Sequence, residues 1–277
     1  MLPTIIIPAH NEANTIGNTL ANLEEGINKF YNIIVVCNGC DDDTYRIASS
    51  FKHIQCQSIE IASKAHAIRH AESLKPNFPR LYVDADIVVT ANDAKLIFAN
   101  MQDNLNAGLY VPKSKTNTLN SHFTVKNYYT AWYDTPYVKK LGYGAGVYAL
   151  NQKGRERFAI WPDLVSDDGF IRTLFSSDEI HIIDTACVEV QAPKTWWQLI
   201  RIKARSKYGI LELKQQQDSV TNEVSQLSKK TATSDSLNLA KLGLKLNYIL
   251  INVIAIAWAY WMLKANKFSW LKDRSNH

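Results

Sequence analysis

Several signatures are missing from this chain, and each absence removes a class of function. There is no Gly-x-Gly-x-x-Gly and no Gly-x-x-x-x-Gly-Lys-Ser/Thr, so dinucleotide-binding and P-loop ATPase readings lose their main support. No glycine-rich, arginine-containing phosphate loop follows the first apolar run, which removes the support for a nucleotidyltransferase. The charge excess is small: 31 Lys and Arg against 26 Asp and Glu, a net +5. Nucleic-acid binding calls for a clustered basic face, so no nucleic-acid partner is expected. Cysteine is sparse, with Cys37, Cys40, Cys56 and Cys187 alone. Cys37-Asn38-Gly39-Cys40 is a lone C-x-x-C without a second pair at zinc spacing. Following an apolar run, it leaves a redox role open, but reduced cytoplasmic thiols are the preferred reading. No signal peptide opens the sequence. The 277 residues, 46 % hydrophobic and 21 % charged, suit one large domain or a domain with an appendage.

What is present is organised around Leu81-Tyr82-Val83-Asp84-Ala85-Asp86-Ile87-Val88-Val89. In an extended chain, residues two apart face the same side, so Asp84 and Asp86 can converge. Two close carboxylates in apolar surroundings repel each other. A magnesium or manganese ion shared with substrate phosphates would remove that cost. The rival reading puts Asp84 at a strand end and Asp86 in a turn, with no metal.

Around this stretch the first ninety residues alternate apolar strands with helices. Residues 4–8 and 32–37 read as buried parallel strands, the first stopped by Pro8 and the second by the Asn38-Gly39 turn. Asn11 reads as the cap of a helix whose apolar face is Ala13, Ile16, Leu20 and Leu23. Asp41, Asp42 and Asp43 lead into a helix at Thr44. A third strand is expected within 53–59, a helix over 63–73 and a fourth strand over 80–83. This alternation predicts a parallel α/β sheet. Ligands of such sheets bind at the carboxyl ends of the strands. Residues 8–12, 38–43 and 84–86 all fall there.

Further on, 94–101 reads as a helix and 109–112 as a short strand. The aromatics Tyr128, Tyr129, Trp132 and Tyr133 are read as core packing. The glycine-rich 142–150 marks either close backbone approach or a plain turn. Asp167-Asp168 precedes an apolar helix, as a helix cap or as a general base beside an orienting partner. Ser166 is expected to cap that helix. A strand follows over 180–190, then a basic amphipathic helix over 196–209. Residues 213–240 are polar and read as a linker. The run 246–263 is long enough to cross a bilayer, with Trp258, Tyr260 and Trp261 at one end and lysines on both sides. Spanning and interfacial placements stay open, and membrane association is expected over a soluble core helix.

Taken in order, these stretches resemble a family 2 glycosyltransferase of the GT-A fold. The motifs are Ile6-Ile7-Pro8-Ala9-His10-Asn11-Glu12, Val35 to Thr44, Ser63-Lys64-Ala65-His66-Ala67, Asp84-Ala85-Asp86 and Asp167-Asp168. The resemblance covers residues 1–210. It implies a mostly parallel central sheet flanked by helices, with a C-terminal apolar helix. With the apolar run, this gives an expected transferase domain over 1–212, the linker, and a membrane-associating segment over 241–277 on the cytoplasmic side.

By the same resemblance, Pro8, Ala9, Asn11, Glu12, Asn38, Lys64, Asp84 and Ala85 would bind the nucleotide-sugar donor. Asp86, with Asp84, would hold manganese or magnesium. Gly144, Ala145, Gly146 and Asp167 would shape the acceptor side, for a glycan or lipid-linked acceptor, and Asp168 would be the catalytic base. Asn38 stands where the family usually has Asp. Processive members carry Gln-x-x-Arg-Trp, of which only Arg205 remains here. The implied reaction inverts the anomeric centre. A retaining GT-A transferase and a degenerate nucleotide-sugar-binding membrane protein are the alternatives.

Overall fold

The computed structural model describes residues 1–102, 106–135, 138, 146–218 and 239–265. Strands β1 (Thr4–Ala9), β2 (Asn32–Asn38), β3 (Gln55–Ile59) and β4 (Arg80–Val83) alternate with helices α1 (Ile16–Leu23), α2 (Thr44–Ser49) and α3 (Lys64–Ser73). They pair in parallel in the order β3-β2-β1-β4. The continuous apolar runs are explained by burial on both faces. Ile5, Ile7, Ile33, Val35, Leu81 and Val83 pack on one side with Ile16, Leu20 and Leu23 of α1. Ile6, Ile34, Val36 and Tyr82 pack on the other with Ala67, Ile68 and Ala71 of α3. Successive residues thus fill opposite cores.

Pro8 does not stop β1. It pairs with Val36 inside the strand, because β4 has already ended its pairing at Ile6, so no ladder bond is asked of the missing N–H. Asn11 is not a helix cap either. Helix α1 starts at Ile16, with Thr15 in the N-cap position, and Asn11 sits in the left-handed region with φ +55°.

Beyond β4 the sheet becomes mixed. Strands β5 (Ile87–Val88), β6 (Leu109–Asn117), β7 (Val147–Leu150) and β8 (Ile180–Gln191) complete eight strands in the order β3-β2-β1-β4-β7-β6-β8-β5. Strand β7 runs antiparallel to β4 and β6, while β8 is parallel to β6. Helix α4 (Ala91–Ala99) opens with a capping box between Thr90 and Asp93. A short helix, α6 (Gln152–Arg155), follows β7, and α7 (Asp167–Thr173) precedes β8.

The aromatic helix α5 (Phe123–Tyr133) buries Tyr128, Tyr129 and Trp132 against α8 (Trp196–Asp218) and α9 (Leu239–Lys264). Core packing is therefore their role. Lys203 lies 5.0–5.4 Å from the centroids of those three rings. Helix α8 continues to Asp218, past the boundary expected at 212. The apolar run 246–263 lies within α9, which packs along α5 and α8. Ile251, Ala255, Ala259 and Met262 are buried there, and the Asn247 amide donates to Thr124 O at 2.8 Å.

Candidate active site

The carboxyl ends of β1 and β2 carry two loops laced together by side chains. Asn11 Nδ2 donates to Asp41 Oδ1 at 2.5 Å, and Asp41 N donates back to Asn11 Oδ1 at 2.8 Å. Glu12 N donates to Thr44 Oγ1 at 2.7 Å and Ala13 N to Asp42 Oδ2 at 3.3 Å. Asn38 is almost fully buried, and its amide donates to Ala9 O at 2.8 Å. Pro8, Ala9 and Asn38 thus build the wall behind the first loop rather than presenting side chains at its surface. Glu12 is partly exposed and accepts from Thr15 Oγ1 at 2.6 Å.

At the end of β4 the chain turns, and Ile87 N donates to Asp84 O at 3.1 Å. Asp84 and Asp86 therefore come together through a turn and not through the pleat of an extended strand. Ala85, expected at the donor, instead packs into the core, and its carbonyl accepts from Thr19 Oγ1 at 2.8 Å. That inward peg leaves the two flanking carboxylates facing out. Gly146, with φ +67°, lies against Asp84: a Cβ there would meet Asp84 Oδ2 at 2.2 Å. Close approach is therefore what this glycine supplies. Gly144 and Ala145 lie outside the described residues.

Lys64 opens α3, whose first turn is capped by Ser63 Oγ accepting from His66 N. One residue of α3, Arg69, and its cap, Ser63, hold it to the segment before α7. Arg69 donates to Trp161 O at 2.6 Å and pairs with Asp163 at 2.9 Å, and Ser63 Oγ donates to Asp163 Oδ1. Lys64 Nζ then lies 2.5 Å from Asp84 Oδ1 and 2.7 Å from Asp167 Oδ1. Burial works against its ammonium, but Asp167 and Asp84 hold its pKa well above the usual lysine range.

Asp167 is 3 % exposed and also accepts from Tyr148 OH at 2.9 Å. Tyr148, on β7, is a site residue that the sequence did not single out; its signal was only its place within the glycine-rich 142–150 stretch. Asp168 is oriented differently. Its Oδ1 accepts from Ser166 Oγ at 3.0 Å and Gly169 N at 2.8 Å. Ser166 makes no side-chain cap bond to α7; its hydroxyl fixes Asp168 instead. Burial, then the neighbouring Asp167, raises the Asp168 carboxyl above its ordinary value. Helix α8 closes this side: a Cβ on Gly209 would meet Ser166 Cβ at 2.8 Å, and Glu212 accepts from Val165 N at 2.9 Å.

These groups open on one cavity of about 360 Å³. It is lined by Lys64, Asp84, Asp86, Gly146, Asp167 and Asp168 of the expected residues, and by Tyr148, Arg172 and Arg205. Carboxylates crowd one side of it. Burial, then Asp86, pushes the Glu12 carboxyl up to about 8. Burial raises Asp84 to about 7, with Lys64 opposing and Asp167 and Asp86 adding to the rise. Among the described residues no group of three or more His, Cys, Asp or Glu forms a closed metal cage. Magnesium and manganese commonly take one or two carboxylates and complete their shell with substrate phosphates. Asp86, exposed on the cavity wall, and Asp84 suit such an open site, and a cation there would relieve the crowding.

The sequence profile of Glycosyl transferase family 2 matches residues 4–138. The match takes in both laced loops, Lys64 and the Asp84–Asp86 turn. The fold of the described residues is that of GT-A glycosyltransferases. It is similar to the Pyrobaculum calidifontis mannosyltransferase PcManGT, solved with GDP-Man and Mn2+, at TM-score 0.58 and 16 % identity, over 99 % of this chain and 78 % of that one. It is similar to glucosyl-3-phosphoglycerate synthase from Mycobacterium tuberculosis, solved with Mn2+, UDP-glucose and phosphoglyceric acid. That match has TM-score 0.57 and 17 % identity, over 80 % and 81 % of the two chains. S. aureus TarS with UDP-GlcNAc matches at TM-score 0.51 and 16 % identity, over 69 % and 58 %. No curated protein matches the chain in sequence. The Asp84–Asp86 turn, within the profile match, and Asp167-Asp168, beyond its end, share one cavity.

Proposed function

We propose that this chain is an inverting, divalent-cation-dependent glycosyltransferase that moves a sugar from a nucleotide donor to an acceptor hydroxyl at a membrane surface. The observation that carries the reading is the single cavity holding Lys64, Asp84 and Asp86 on one side and Asp168 on another. Asp86, with Asp84, would hold the cation, which supplies charge compensation for the leaving nucleoside diphosphate. Lys64 fixes Asp84 and Asp167 in place through its two short ion pairs. Asp168 takes the proton from the acceptor hydroxyl as that oxygen attacks. Its raised pKa makes it a better base than an ordinary aspartate, and Ser166 and Gly169 hold one oxygen so that the other can face the acceptor. One displacement inverts the anomeric centre. The laced loops at Asn11 and Glu12 flank the nucleoside.

The membrane part of the reading rests on α9. Residues Gly243–Lys264 are long and apolar enough to cross a bilayer, but one face of this helix is occupied by α5 and α8. The other presents Leu246, Ile249, Leu250, Val253, Ile256, Tyr260 and Trp261 to solvent, next to Trp197 of α8, which packs on Trp258. A helix docked on its own domain along its length suits the plane of the bilayer interface. It would set the acceptor side of the cavity, lined by Ile202, Arg205, Ser206 and Ile210 of α8, near the cytoplasmic leaflet.

The test is a thermal-shift screen of nucleoside diphosphate sugars with and without manganese, followed by turnover of the stabilising donor. NMR of the product from an α-linked donor should show a β-linkage. A retained α-linkage favours the retaining mechanism, and binding without turnover favours a degenerate binding protein.

A further inference from the structure

Three of the four cysteines meet beside the first loop. Cys56 lies opposite Val35, and Cys37 opposite Ser58, on the adjacent strands β2 and β3. Cys37 and Cys56 therefore project from the same face of the sheet. The Asn38-Gly39 turn, with Gly39 at φ +57°, brings Cys40 back to that face. All three pack in one hydrophobic cluster, with the Cys37 thiol near enough to Cys40 and Cys56 for each to act on its ionisation. Cys37 is buried, Cys40 is partly exposed, and Cys187 lies apart on β8.

Cys40 is also part of the loop lacing. Its sulfur accepts from Asn11 N at 3.4 Å and lies 3.5 Å from Ala9 O. The hydrogen bond from Cys37 lowers the Cys40 thiol to about 6, with Asn11 N–H acting in the same direction. A partly exposed thiol of this kind is the reactive sort, and a buried neighbour is placed to resolve it. The resolving partner is Cys37 and not Cys56 acting across the strands. A two-residue offset between neighbouring strands separates the Cα atoms of Cys37 and Cys56 by about 8 Å, beyond the reach of about 7 Å for a disulfide.

We propose that Cys37 and Cys40 form an oxidisable dithiol that small-molecule disulfides convert to an intramolecular disulfide, weakening donor binding. The Cys40 thiolate attacks one sulfur of the disulfide R–S–S–R, giving Cys40–S–S–R and releasing RS⁻. The Cys37 sulfur then attacks Cys40 Sγ and expels a second RS⁻. The protons of the two cysteines go to the departing thiolates. The two cysteines lose two electrons, and one R–S–S–R becomes two RSH. The new bond, about 2.05 Å long, draws Cys40 Sγ away from Asn11 N and Ala9 O. The first loop loses that anchor beside Asn11 and Glu12. The effect on binding rests on the donor reading of that loop; the thiol chemistry does not.

The experiment treats the full-length protein with oxidised glutathione. Peptides are mapped by mass spectrometry after alkylation, and UDP and GDP binding with manganese is measured by calorimetry before oxidation, after it, and after dithiothreitol. The expected result is a Cys37–Cys40 link, a several-fold weaker Kd, and recovery on reduction. Cys187→Ser should respond like the wild type, and Cys40→Ser should lose its response to the oxidant whatever its starting affinity. Stable glutathione on Cys40 with no internal link, or a link with unchanged nucleotide affinity, overturns the proposal. A link in a protein that binds neither nucleotide in either state overturns the effect on binding together with the donor reading, and leaves the dithiol chemistry standing.

Discussion

Asp167 and Asp168 are neighbours in sequence with different partners and different proposed roles, and substituting each by Asn separates the two. Asp167 is buried and joins Lys64 at 2.7 Å and Tyr148 OH at 2.9 Å. Removing one partner of a buried ion pair typically costs about 3–5 kcal/mol. Here Lys64 keeps Asp84 at 2.5 Å, and an amide oxygen can still accept from Tyr148, so about 1–3 kcal/mol is the expected loss. For a chain of this size, 1 kcal/mol moves Tm by about 2–4 °C, so Asp167→Asn should melt several degrees lower. Asp168 accepts from Ser166 Oγ and Gly169 N through Oδ1, and the Oδ1 of Asn keeps both bonds. It also loses a like charge beside Asp167. The Tm of Asp168→Asn should therefore hold or rise slightly. Loss of a general base costs about 10²- to 10⁴-fold in turnover, or about 3–5 kcal/mol in the barrier. Differential scanning fluorimetry and steady-state turnover of both variants make the assay. An Asp168→Asn protein that melts early and turns over normally, beside an Asp167→Asn protein with intact Tm and no turnover, would refute the assignment.

Four further outcomes follow from the same geometry. Gly146→Ala combines φ +67° with a Cβ 2.2 Å from Asp84 Oδ2; it should cost about 1–2 kcal/mol in backbone strain alone and weaken manganese-dependent nucleotide binding, both measurable on one sample. Asp86→Asn should remove most of the metal dependence of nucleoside diphosphate affinity with Tm unchanged, and equal affinity in EDTA and in manganese for the wild type would contradict the open metal site. Lys203 is lowered from 10.5 to about 8 by burial and then by Lys207. The folded state thus gives up its proton before the unfolded chain does, so stability is penalised below pH 8 and recovers as pH rises towards 10.5; with its three rings offsetting part of the cost, Lys203→Met should gain about 1–2 kcal/mol at pH 7, a gain that shrinks by pH 10 in urea melts. Leu250→Glu with Val253→Glu changes two exposed positions of α9 and should abolish sedimentation with anionic vesicles at unchanged Tm; substitution is the cleaner test than deletion, because α9 also covers Leu199, Ile200 and Ala204 of α8.

Strand β4, helix α3 and the parallel pairing of the first four strands were legible from short-range pattern. Two-sided burial leaves a continuous apolar run, and Ser63 before Lys64 is a local cap. The errors arose where a distant element outbid a local rule. Asn11 has a cap's chemistry, but Asp41 and Cys40, about thirty residues away, claim it. Ser166 stands in the cap position of α7 but bonds Asp168. Pro8 is a strand breaker by propensity, yet it falls where β4 no longer needs its N–H.

By itself the sequence determined which chemistry is available: carboxylates in two pairs, a lysine at a helix start, and an apolar helix near the end. Residue types and short spacings carry that information directly. Only the tertiary structure decided how the parts divide the work. Lys64 meets Asp167 across 103 residues of chain, which ties down that carboxylate, while its neighbour Asp168 is held by Ser166 and Gly169. The turn at Asp84 sends Ala85 inward and the two acids outward, and α9 gives one face to its own domain and one to its surroundings. Each outcome depends on contacts between segments far apart in the chain, where no local periodicity records the partner.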